Sequence, residues 1–276
     1  MYKGFDVSLS NKCLRVSLEA TKVGLFEAFI KEGKGVRDRV RKNVEAKIVS
    51  GKWVLSGSNI ESNWFPQIQN HIFLSHSHQD EDLALAIAGM LKHWFDLDVF
   101  IDSAVWGYYA ELGKQIFSKI VDLRGIISND KKVELRNSVV SHVHCMLTKS
   151  LIQMMDQCEC LMLLNTPASI GIRDIQGAQE TYSPWIYTEV EMSRMLRTHL
   201  DPRRPKQMMI KESVEHFAMD EDVKDIISYP LNLDHLTRVE AQPFWKWICD
   251  AYKATKNRQD AQIKPFVALD VLYKMV

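Results

Sequence analysis

Between Ser183 and Glu191 the chain reads SPWIYTEVE, a stretch whose residue types and spacing can hold a carboxylate in a fixed place. Ser183 is a good N-cap and Pro184 suits the first helical position, so a helix opens there. Trp185 and Glu189 are four residues apart and share one face, with Met192 a turn further on. Glu191 lies two residues beyond Glu189 and points roughly to the opposite side. The two glutamates are therefore not the facing pair that many glycosidases use, and a carboxylate acting here acts without its neighbour. A second polar stretch, Ser75-His76-Ser77-His78-Gln79-Asp80, carries histidines two apart, a spacing at which loop side chains can share a zinc ion. No Ser–His–Asp or Cys–His arrangement follows from spacing. The GxGxxG and P-loop signatures are absent, which removes kinase, ATPase and Rossmann dehydrogenase readings.

The elements that must position these residues follow from the apolar pattern. His71–Ser75 is a short apolar run, the pattern of a strand buried on both faces. A helix follows with Leu83, Ala86, Ile87, Met90, Leu91 and Trp94 on one stripe. Strand-like runs recur at Leu97–Ile101, ending at Asp102, and at Cys160–Leu164, after a helix over roughly 141–157. Weaker strand candidates are Gln207–Ile210 and Ile226–Leu231, and a Trp-rich helix covers 243–254. Strands alternating with helices predict βαβ units, a parallel sheet and helices on both faces. In such a sheet ligands bind beyond the carboxyl ends of the strands, so the 75–80 loop and the stretch from Asn165 to Trp185 are expected on one rim.

The expected organisation has three parts. Residues 1–68 read as an N-terminal extension, a helix over 17–46 and a short hairpin, closed by Trp64-Phe65-Pro66. Residues 69–256 form the sheet domain, with an expanded loop at 103–140 that is helical in part over 108–124 and exposed at Ser128–Lys132; long loops in compact domains are usually lids or insertions. Residues 257–276 read as a C-terminal tail.

Composition narrows the class. Apolar residues make up 46% and charged residues 25%, so a folded globular chain is expected rather than a disordered one. Lys plus Arg and Asp plus Glu balance at 35 each, leaving no global field to hold nucleic acid or an anionic membrane. Of the five cysteines, Cys145, Cys158 and Cys160 lie in or beside apolar runs and read as core, and Cys158 and Cys160 are too close for a CxxC site. No signal peptide is evident and no stretch approaches the ~20 apolar residues of a membrane span, so a cytoplasmic protein is expected.

Four separated blocks, IFLSHSHQDEDLALAIAGML, LDVFID, ECLMLLNTPAS and SPWIYTEVEMSRML, together resemble the TIR (Toll/interleukin-1 receptor) domain family, in that family's order. ISYPLNLDHL and the helix around FWKWICDAY resemble its closing strand and helix, so the resemblance covers roughly 70–256. It implies a flavodoxin-like, doubly wound parallel sheet. The SPW-x-x-x-E block resembles the NAD+-consuming members, including those of bacterial antiphage systems, and carries their catalytic glutamate onto Glu189. The implied activity is cleavage of the nicotinamide–ribose bond, giving ADP-ribose or a cyclic ADP-ribose-type signal. NAD+ is then a substrate, with no cofactor and no metal. Ser75 and His76 supply polar contacts, Trp185 an apolar wall, and Trp106 part of the role of the family's Pro-Gly turn, which is missing after Asp102. The resemblance also implies self-association through TIR domains and a product that either signals to a nucleotide-sensing effector protein or depletes NAD+.

Two other readings stand beside it. A TIR module that only assembles with others has the same blocks without activity. The His76-Ser77-His78-Gln79-Asp80 run is also similar to the HxHxD start of metallo-β-lactamase-like zinc hydrolases. That family continues with His where this chain has Glu81, and the following helix and parallel strands suit a doubly wound sheet better. By composition alone Glu189 would be a surface charge and Trp185 core packing.

Overall fold

The structure, a computed structural model, describes residues 3–9, 44, 46–49, 52–106, 109–125, 128–172, 179–196, 228–257, 260 and 263–275. Its strands are β1 (Lys3–Ser8), β2 (Ala46–Val49), β3 (Lys52–Leu55), β4 (Ile72–Ser75), β5 (Val99–Phe100), β6 (Cys160–Asn165), β7 (Gly171–Ile172), β8 (Gln179–Thr181), β9 (Tyr229–Leu231) and β10 (Thr237–Glu240). Its helices are α1 (Gly57–Trp64), α2 (Glu81–Phe95), α3 (Asp102–Val105), α4 (Tyr109–Arg124), α5 (Asn129–Gln157), α6 (Pro184–Met195), α7 (Ala241–Thr255) and α8 (Lys264–Met275).

The central sheet runs β10-β1-β6-β4-β5, and each pairing is parallel. β4 is buried along its whole length and β6 nearly so, as their continuous apolar runs require of strands covered on both faces. One face carries Phe5, Val7, Ile72, Leu74, Met162 and Leu164, packed against α2, α7 and α8. The other carries Phe73, Phe100, Leu161 and Leu163, packed with α1, α4, α5 and α6. The chain is therefore an α/β fold with helices on both faces of a parallel sheet. Among the described residues no helix is long and apolar enough to cross a membrane.

Several expectations change. Lys3–Ser8 does not belong to an extension: β1 is an interior strand of the sheet, hydrogen-bonded to β6 on one side and β10 on the other. The expected hairpin is present as β2 and β3, while the helix expected over 17–46 lies almost wholly outside the described residues, as does Gln207–Ile210. The 103–140 segment is not an expanded loop but largely a pair of helices, α4 and the first turns of α5. The stretch Asn129–Lys132 looked like a loop because that end of α5 is exposed; the helix is held further along by Val139, Val143, Leu147, Leu151 and Met154, a buried stripe at helical spacing. Tyr229–Leu231 is a strand, but it pairs in a small antiparallel sheet with β8, and the central-sheet edge strand beside β1 is β10. The C-terminal tail is α8, which buries Ala268, Leu269 and Leu272 and accepts the Trp247 indole N–H at the Ala268 carbonyl, 2.8 Å away. With α7 and α8 over its outer side, α2 is buried nearly all round from Leu83 to Leu91 rather than along one stripe.

Candidate active site

The carboxyl ends of β4, β5 and β6 and the N-terminal half of α6 meet at one rim. α6 starts where its capping residues require: Ser183 Oγ accepts from the Ile186 N–H at 3.3 Å, with Pro184 in the first turn. Ile186 and Val190 anchor the helix in the second core. Glu189 is three residues after Ile186 and one before Val190, so it must share that inward face, and it is only 4% exposed.

What Glu189 meets there is the end of β4. The Ser75 hydroxyl donates to Glu189 Oε2 at 2.5 Å, with both groups buried. β5, paired with β4 through Phe73 and Phe100, leads two residues later to Asp102, whose charge acts on the Glu189 carboxyl. Burial is the main force lifting the Glu189 carboxyl well above the usual carboxylate range, the negative charge of Asp102 lifts it further, and the Ser75 hydrogen bond pulls it back. The site thus holds a carboxyl whose charged form burial and Asp102 disfavour and Ser75 favours. From the sequence Glu189 is expected to act without Glu191; the carboxylate whose charge reaches it is Asp102, legible in sequence only as the residue that ends LDVFID. Glu191 instead lies 3.6 Å from Arg194 in a partly exposed ion pair.

The other expected residues divide. His76, directly after Ser75, is half-buried, its Nε2 is 3.4 Å from Ser103 Oγ, and its Nδ1 is buried with no hydrogen-bond partner among the described residues. It therefore sits beside the Asp102 turn. Trp185 is half-buried and meets His144 of α5 edge-on, with ring centroids 5.2 Å apart, so its ring helps to pack α6 against α5. Trp106 is a correction. It is 1% exposed, wedged edge-on between Phe100 and Phe65, with its indole N–H donated to the Pro66 carbonyl, and no face is left for a ligand. Cys145 is likewise exposed rather than core, whereas Cys158 and Cys160 are buried.

A polar relay that spacing did not reveal fixes the rim. Thr166 Oγ1 donates to Asp80 Oδ2 at 2.5 Å, and Ser169 Oγ accepts from the Thr166 N–H at 2.8 Å. Thr181 Oγ1 donates to the Ser169 carbonyl and accepts from the Ser183 N–H. The loop after β4 is thereby tied through the loop after β6 to the cap of α6. Asp80 is engaged in that relay, and His78 is exposed. Among the described residues no three His, Cys, Asp or Glu side chains converge as a metal ligand set. No known family model, curated protein or solved structure matches the chain.

Proposed function

We propose that the chain is a TIR-type NAD+ nucleosidase, a glycohydrolase or cyclase that cleaves the nicotinamide–ribose bond with Glu189 as its catalytic carboxylate. The observation that carries this reading is the Ser75–Glu189 contact: the one glutamate singled out by the SPW-x-x-x-E block is buried at the carboxyl rim, hydrogen-bonded to the end of the first resembling strand. The strand order supports the flavodoxin-like assignment in part. That order is 2-1-3-4-5, and β5, β4 and β6 stand as 2, 1 and 3, whereas the fourth place belongs to β1 from the start of the chain.

The site's chemistry suits the reaction. NAD+ presents a cationic pyridinium and, as the C1′–N bond breaks, a ribosyl cation. Either charge favours the ionised form of Glu189 and so opposes the burial and the Asp102 charge that raise its carboxyl. The resulting fixed anion stabilises the developing positive charge, and Ser75 holds its orientation. Neutral nicotinamide leaves with the bonding electron pair. The same reading implies a cytoplasmic antiphage enzyme that self-associates and passes ADP-ribose or a cyclic form to a nucleotide-sensing effector.

The deciding experiment is Glu189→Gln, which keeps shape and approximate helix propensity and removes the charge. Loss of one such electrostatic contact lowers turnover about 10²–10³-fold, or roughly 3–4 kcal/mol. Glu191→Gln is the control and leaves turnover near wild type. Nicotinamide release measured by chromatography, with folding checked by circular dichroism, reads both. A folded wild type that releases none leaves the assembly-module reading standing.

A further inference from the structure

We propose that Asp6 is a second carboxyl of this site, the base that takes the proton from the hydroxyl acceptor as that acceptor attacks the ribosyl carbon; the assignment rests on the NAD+ reading above. β1 brings Asp6 there. Asp6 pairs with Leu163 of β6, and Leu163 pairs on its other side with Ser75 of β4. Phe5 and Val7, the neighbours of Asp6, face the α2 side, so Asp6 shares the α6 face with Ser75, Leu163 and Glu189. Ser75, Leu163, Asp6 and Arg238 thus form a row across the sheet close to its carboxyl ends. Adjacent strands are about 4.8 Å apart, so the backbones of Ser75 and Asp6 stand roughly 10 Å from each other. With Glu189 held at Ser75, the two carboxyls flank Leu163 from opposite sides. Two carboxyls placed on either side of an acceptor are the arrangement used by glycosidases that fit a water between them.

The state of Asp6 points the same way. It is 4% exposed, and its Oδ1 has no hydrogen-bond partner among the described residues. A buried carboxyl oxygen left unsatisfied is costly, and an acceptor hydroxyl donating to it would remove that cost. Burial raises the Asp6 carboxyl above its ordinary value, with a hydrogen bond from Asn165 and the charge of Arg238 drawing it back. In the step proposed, nicotinamide departs with the C1′–N electron pair, the acceptor oxygen bonds to C1′, and its proton passes to Asp6 Oδ1 and on to solvent. Water as acceptor yields ADP-ribose, nicotinamide and one proton; a hydroxyl of the same ADP-ribosyl group yields a cyclic product and the same proton.

An acceptor that carries no proton separates this role from others. A pyridine base such as 3-acetylpyridine replaces nicotinamide on C1′ by its ring nitrogen and needs no base to deprotonate it. Asp6→Asn is expected to slow hydrolysis about 10²-fold or more in kcat, with KM for NAD+ nearly unchanged, while base exchange stays within about threefold of wild type. Glu189→Gln is expected to lose both reactions. Should Asn at this buried position disturb folding, Asp6→Ala, which makes no polar demand, carries the same comparison. Equal loss of hydrolysis and exchange, or unimpaired hydrolysis, overturns the role of Asp6. A wild type that cleaves no NAD+ overturns the functional reading beneath it, a distinct result.

Discussion

A carboxyl buried as deeply as that of Glu189 resists ionisation, and the nearby charge of Asp102 adds to that resistance. The native state therefore holds the Glu189 proton more tightly than the unfolded chain does. The resulting stabilisation is fully present in acid, below the unfolded carboxyl's range, and is lost as pH rises through the raised folded value. Gln cannot ionise, so the melting temperatures of Glu189→Gln and wild type should run in parallel in acid, with the variant gaining on wild type as pH rises. Calorimetry across pH checks this, and a constant difference would contradict a burial-driven shift. Ser75 acts in the other direction, because its hydroxyl favours the anion. Ser75→Ala should raise the carboxyl further and move the acid limb of the kcat/KM profile of NAD+ cleavage to higher pH. An unmoved limb would mean that Ser75 does not set the charge of Glu189.

Among the elements, β1 changes most between expectation and structure. As part of an extension its residues would tolerate substitution at under about 0.5 kcal/mol. As an interior strand of the sheet it buries Phe5 completely, stacked on Tyr273 with centroids 6.0 Å apart. Phe5→Ala should cost about 3–5 kcal/mol, read as a lower urea midpoint at unchanged slope. The strand escaped notice because KGFDVS alternates: Phe5 and Val7 enter the core, while Asp6 points to the opposite face. A central strand is usually apolar on both faces. The polar side of this one turns towards the rim where α6 begins, and the feature that hid the strand in sequence is the feature with chemical content.

Taken whole, the molecule sandwiches its sheet between two cores, and the C-terminal helix is part of one of them. Leu269 is fully buried there, so Leu269→Ala should cost about 2–5 kcal/mol and lower the melting temperature by several degrees. The TIR reading makes a separate demand on the molecule, that copies associate to complete the site. NAD+ turnover per molecule should then rise with protein concentration, measured over a hundredfold dilution series. Strict proportionality of rate to concentration over that range would count against assembly.

Local signals in the sequence were sufficient for local structure. The cap at Ser183, the proline after it and the four-residue step from Trp185 to Glu189 determine where α6 starts and which residues share its face, because these depend on backbone donors and helical period alone. The apolar runs at β4 and β6 are legible for the same reason. The tertiary structure decided what those residues meet. Ser75 and Glu189 are 114 positions apart, and neither carries a mark of the other. Trp106 reads equally well as a ligand wall or a core residue until Phe65 and Phe100 close around it. Asp6 becomes a candidate only when β1 pairs with β6, across more than 150 residues of chain. Burial and strand pairing are relations between distant segments, so the charge state of Glu189 and the membership of its site follow from what covers and adjoins it rather than from its neighbours in sequence.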